Sequence, residues 1–166
     1  MTAAADGKRR NMALLAAAIV LVLSVWFAGT VAVPSLIAQG LVTPGRAAWL
    51  TACVQLGFVA GTLVSAMLSL ADRLDARRLF LGCAVLAGLA TLAQTLAPPA
   101  GGAALALRFV AGAAMAGVYP VGMKLAASWA KGDLGLLIGI VVGAVTLGSA
   151  LPHLLPGLAG APTHQA

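Results

Sequence analysis

The sequence predicts an all-α fold, a polytopic transmembrane helical bundle of about five spans, and three observations predict it. Of the 166 residues, 61% are apolar and 8% charged, against roughly 25% charged in a soluble domain. That composition excludes a water-soluble globule. The charges also leave long gaps: none falls between Asn11 and Gly45, between Ala47 and Ala71, between Leu79 and Leu107, or after Asp133. Each gap holds the roughly 20 residues that carry an apolar helix across a bilayer.

Residues 1–11 read as a polar, basic leader on the cytoplasmic side. The first span is expected at 12–37, apolar apart from Ser24, Thr30 and Pro34. Its apolar run outlasts the roughly 7 to 15 residues of a signal-peptide core, which argues for an uncleaved span. Gly40, Pro44 and Gly45 mark a loop before the second span, 47–70. The densest charge cluster, Asp72 to Arg78, precedes the third span, 79–97, and the Pro98, Pro99, Gly101, Gly102 stretch ends that helix. The fourth span is expected at 103–129. A short loop carries Lys131 and Asp133, and the fifth span runs over 134–155. Residues 156–166 form a tail too short to cross again.

The cations fix the expected orientation. With the leader inside, Lys8, Arg9, Arg10, Arg73, Arg77, Arg78 and Lys131 are cytoplasmic and Arg46 alone is outside, as the positive-inside rule requires. The expectation is a multi-pass protein of a bacterial-type inner (plasma) membrane, with its N-terminus cytoplasmic and its C-terminus outside. The net charge of +6 sits in short clusters between apolar spans, so it reports topology; no nucleic-acid partner is expected. The lipid bilayer is the partner this composition implies.

Cys53 and Cys83 lie about 25 Å and about 6 Å from the inner ends of their spans. A disulfide needs Cα atoms within about 7 Å, so both are expected as free packing residues. Small residues recur four apart at Gly57, Gly61, Ser65 and Ser69, at Gly112 and Ala116, and at Gly135, Gly139 and Gly143. Such stripes let helix backbones approach closely in lipid.

Little in the sequence could build an enzyme. It has no Glu, no Asp inside a span and only two histidines, His153 and His164, with no nucleophile triad, metal-ligand cluster or phosphate loop. No catalytic residue, metal or cofactor is expected. The candidate substrate-binding residues are Arg108, Met115, Tyr119, Trp26 and Thr30. Arg108, Gly112, Met115 and Tyr119 recur at spacings of 4, 3 and 4, placing a cation, a gap and an aromatic on one helical face. Pro120 is expected to kink that helix. Trp26, Thr30 and Pro34 form a second stripe on the first span. For Arg108 the alternative is a side chain that snorkels to the nearby interface. Lys124 reads as a structural cation at the inner end of its helix, and His153 as interfacial filler. With two embedded cations and no embedded acid, a neutral or anionic small-molecule solute is favoured.

The loop after the second span resembles a pattern of the major facilitator superfamily, roughly Gly-x-Leu-x-Asp-Arg-x-Gly-Arg-Arg. Leu70, Asp72, Arg73 and Arg77 match, with Arg78 adjacent, while Leu68 and Asp75 stand at the two glycine positions and Ala76 replaces a basic residue. Arg108-x-x-x-Gly112, followed by Gly117, Pro120 and Trp129, is similar to the family's fourth helix, and Gly139, Gly143 and Gly148 before Pro152 to its fifth. The likeness covers about residues 11–156. It implies the partial N-terminal half of a major facilitator fold, about five of twelve spans, in which two six-helix halves rock about a midplane site. It also implies that Asp72, Arg73, Arg77 and Arg78 form a conformational-switch loop, with Asp72 accepting bonds from helix ends or pairing with Arg77. The expected partners are then the remaining C-terminal part of the transporter or a second copy. The rival is a five-span membrane scaffold or assembly subunit that binds through its glycine stripes and transports nothing.

Overall fold

A computed structural model describes the backbone of residues 2–158 and the side chains of residues 7–154. Most of the expected tail, with His164, lies outside the described residues. Eight helices follow in chain order: α1 (Thr2–Val31), α2 (Val33–Ala38), α3 (Pro44–Met67), α4 (Leu70–Arg73), α5 (Ala76–Leu96), α6 (Gly102–Met115), α7 (Tyr119–Ser128) and α8 (Leu134–Leu158). Five segments are long and apolar enough to cross a membrane: Gly7–Ala38, Pro44–Met67, Ala76–Leu96, Gly102–Ser128 and Leu134–Leu154.

The breaks between these helices have local causes. Pro34 stands in the first turn of α2, where a missing N–H costs nothing, and the chain turns at Ala32 just ahead of it. α3 starts at Pro44 under Thr43, whose side chain accepts the Arg46 N–H. It ends where Ser69 takes φ +51°, an uncommon conformation for a residue with a Cβ, which turns the chain into α4. The fourth span breaks at Ala116–Val118, upstream of the expected kink at Pro120. Pro120 has no N–H for the Ala116 carbonyl, and the chain there tightens to i→i−3 bonds, such as Gly117 N to Ala114 O at 3.0 Å and Val118 N to Met115 O at 3.0 Å. Basic residues of the leader belong to α1, which is continuous through Lys8, Arg9 and Arg10 into the first span.

α1 packs along α8, α3 along α6, and α5 along α6. The main core lies where α1, α5, α7 and α8 converge, with Ile19, Val118 and Val141 wholly buried. A smaller cluster of Val33, Val42, Ala47, Leu50 and Ala104 closes the opposite end under the α2–α3 loop. Large apolar side chains such as Leu21, Leu81, Leu92 and Leu136 point outward, 63–66% exposed, the inverse of a soluble domain and natural for faces that meet lipid.

Close backbone approach fixes the α3–α6 pair. A Cβ on Gly57 would run into the Phe109 carbonyl of α6, and one on Gly112 into the Val54 carbonyl of α3. Gly61 meets Ala113 in the same way. The stripe on α8 differs: Gly135, Gly139 and Gly143 have nothing within reach of an added Cβ, whereas Gly148 sits on Val20 and Leu23 of α1.

Candidate functional site

Arg108 is the one charged side chain in the buried set of described residues, 4% exposed. It projects from α6 about 9 Å in from Gly102, by the rise of about 1.5 Å per residue. Its guanidinium lies flat against α1 at Gly29, where an added Cβ would stand 2.5 Å from one terminal nitrogen and 2.7 Å from Cζ. Only a residue without a Cβ leaves that seat free. Nε has no hydrogen-bond partner, and among the described residues no carboxylate pairs with the group. A buried donor without an acceptor costs about 1–3 kcal/mol, and more when charged, so this placement is expensive.

The guanidinium borders a half-enclosed cavity of about 340 Å³. α1 contributes Ala28 and Gly29, the turn after it Ala32, and α6 Ala104 and Arg108. α5 contributes Thr91, Gln94 and Thr95, spaced i, i+3, i+4, as a polar face along the cavity. Leu36 and Leu50 add apolar surface. Thr91 Oγ1 donates to the Ala87 carbonyl at 2.9 Å and Thr95 Oγ1 to the Leu92 carbonyl at 2.7 Å, which leaves their lone pairs free. No side-chain hydrogen bond engages the Gln94 amide among the described residues.

The structure separates Arg108 from the other four residues singled out with it. Gly112, the supposed gap on the Arg108 face, is filled by the backbone of α3. Met115 is 1% exposed in the main core. Tyr119 begins α7 beyond the helix break and packs against that core. Trp26 stacks on Phe58 with ring centres 6.0 Å apart and lies 5.4 Å from Phe27. Neither Trp26 nor Thr30 borders the cavity. His153 is exposed, its ring 6.3 Å from Phe27 and its Nδ1 3.0 Å from the Ser149 carbonyl.

The charged residues gather at the other end. Lys124 Nζ donates to Asp72 Oδ1 and to the Ala71 carbonyl, each at 2.6 Å. Lys124 holds the Asp72 carboxyl below the usual carboxylate range by a hydrogen bond and by charge. This corrects the expected roles in the loop. Asp75, at a position where the family pattern has glycine, does the capping: its Oδ1 accepts the backbone N–H groups of Arg77 at 3.1 Å and Arg78 at 3.0 Å. Asp72 pairs with Lys124, not with Arg77 or a helix end. A second bridge joins Lys8 of α1 to both oxygens of Asp133, at 2.7 and 2.6 Å, and lowers that carboxyl's pKa, helped by the Lys131 N–H. At the opposite end Arg46 donates to the Gly101 carbonyl and ties the first turn of α3 to the α5–α6 loop.

No curated protein and no solved structure matches the chain. The profile of the Major Facilitator Superfamily does match it, over residues 14–161, which take in four of the five described membrane-length helices whole, the first from residue 14 on, and both the Arg108 cavity and the charged loop. This multi-pass membrane chain therefore belongs to the Major Facilitator Superfamily, a family of transporters.

Proposed function

We propose that this chain serves a major facilitator transporter that moves a small neutral or anionic solute by alternating access, and that the Arg108 cavity is where the solute is held. One observation carries this reading: a buried guanidinium with no acidic partner borders a cavity walled by uncharged residues. A cation entering it would meet like charge in a poorly screening medium, whereas one negative charge would find the missing partner. The guanidinium's fork suits a carboxylate better than an ammonium would.

The test is isothermal titration of the purified chain in lipid nanodiscs with small monocarboxylates, their neutral amides and matched amines. Saturable binding of the acids or amides, absent for the amines and lost in Arg108→Ala, is expected. Amine binding, or acid binding unchanged in Arg108→Ala, would contradict the reading.

The rival is a scaffold that pairs through α8. Its support is the uncovered Gly135, Gly139, Gly143 stripe, which would let a second helix approach closely. In that case Gly139→Leu abolishes a dimer in detergent and leaves no solute binding to explain.

A further inference from the structure

We propose that Gln94 on α5 is the specificity-determining partner of Arg108, and that the two select a small organic monoanion carrying a hydroxyl or oxo group on a short apolar body. The proposal rests on the reading of Arg108 as the solute's anchor and extends it to a helix that the sequence pattern did not single out.

Size comes first. At about 340 Å³ the cavity lies at the small end of the roughly 300–1,000 Å³ of ligand pockets, which suits a small solute. Charge comes next. Arg108 is the only ionised group bordering the cavity, so one negative charge is matched. A second would remain unpaired against apolar walls, and unpaired charge in such surroundings is costly.

Gln94 supplies the remaining discrimination. Among the described residues its amide is the only side chain at the cavity that can both donate two hydrogen bonds and accept two, and it is half-buried with no side-chain hydrogen bond to another of them. Thr91 and Thr95 have already given their protons to helix carbonyls, so they can only accept. Gln94 is therefore the one uncharged bordering side chain free to donate to a hydroxyl or oxo oxygen while Arg108 engages the carboxylate. An unsubstituted acid leaves the amide unsatisfied and is disfavoured for that reason. The remaining surface, Ala28, Ala32, Leu36 and Leu50, offers the short carbon body only apolar contact.

The experiment compares 2-hydroxybutanoate, butanoate and 2-hydroxybutanamide by isothermal titration of the chain in nanodiscs. The hydroxy acid is expected to bind about fivefold more tightly than butanoate, the worth of one ordinary hydrogen bond. In Gln94→Leu that ratio falls to about one. In Gln94→Glu the added negative charge at the cavity opposes an anion and both acids lose binding, while retained binding of the neutral 2-hydroxybutanamide shows that the variant is folded. A fivefold preference that survives Gln94→Leu, or wild-type acid binding by Gln94→Glu, overturns the role of Gln94 and leaves the Arg108 reading standing. Acid binding that survives Arg108→Ala, or no saturable binding of either acid, overturns both.

Discussion

Lys124 Nζ lies 2.6 Å from Asp72 Oδ1 and 2.6 Å from the Ala71 carbonyl, so one ammonium on α7 fastens the α4 turn to the far half of the fourth span. The acid belongs to the loop that resembles a family motif, and the cation to a helix end that reads as plain structure in the sequence. The bond joins two segments that must part if α4 and α7 move relative to each other.

If this contact holds the α4 turn, its two members act as a unit. Backbone amides of residues 70–74 should exchange several-fold faster with deuterium in Lys124→Ala, and adding Asp72→Asn should change nothing further, the signature of coupled residues. Because Lys124 depresses the Asp72 pKa, the contact is fully present above the ordinary carboxylate pKa and is lost only as pH falls below about 4. After correction for intrinsic exchange, protection should stay flat from about pH 5 to 8. A change within that window would point to another titrating group.

The glycines give a contrast in stability. Gly112→Ala forces a Cβ against the Val54 carbonyl, and Gly57→Ala one against the Phe109 carbonyl, so each should cost about 1–3 kcal/mol through overpacking. Gly139→Ala meets nothing and should be neutral or slightly stabilising. Unfolding of the detergent-solubilised chain measures all three, and equal costs would contradict the α3–α6 contact.

Much of this fold is legible in the sequence because charge is expensive in lipid and its gaps therefore mark helices. The breaks are less so. The chain turns at Ala116–Val118 and not at Pro120, because a proline acts on the carbonyl four residues earlier. The site was legible only at Arg108, whose charge stands out against an apolar run. Helical spacing put Met115 and Tyr119 on its face, but spacing cannot show that α3 crosses at Gly112 and covers that face. Thr91, Gln94 and Thr95 did carry a signal, an i, i+3, i+4 polar set, hidden by its place near a span end where polar residues are common. Lys124 needed a partner 52 residues away, which no local pattern reveals.

Orientation is open to labelling. In a background lacking Cys53 and Cys83, single cysteines at Ala76 and Lys131 should resist an impermeant thiol reagent applied to intact cells, and those at Leu41 and Ala100 should react. Labelling at position 76 from outside would reverse the proposed topology, whose basis is the seven-to-one cation bias.

Alternating access calls for two bundles closing in turn over one site, and the described residues form five membrane-length helices. Reconstituted alone in liposomes, the 166-residue chain should bind its solute without saturable flux above empty vesicles. Saturable flux that Arg108→Ala removes would show that five helices suffice.

The central claim, that Arg108 makes its cavity selective for negative charge, has a direct test that needs no knowledge of the solute. Ala28 borders the cavity from α1 and is exposed. With Ala28→Cys as the only thiol, an anionic methanethiosulfonate should react faster than a cationic one of similar size. Arg108→Gln should erase that preference, and monocarboxylates should slow the reaction only when Arg108 is present. A faster cationic reagent, or a ratio indifferent to Arg108→Gln, would contradict the account.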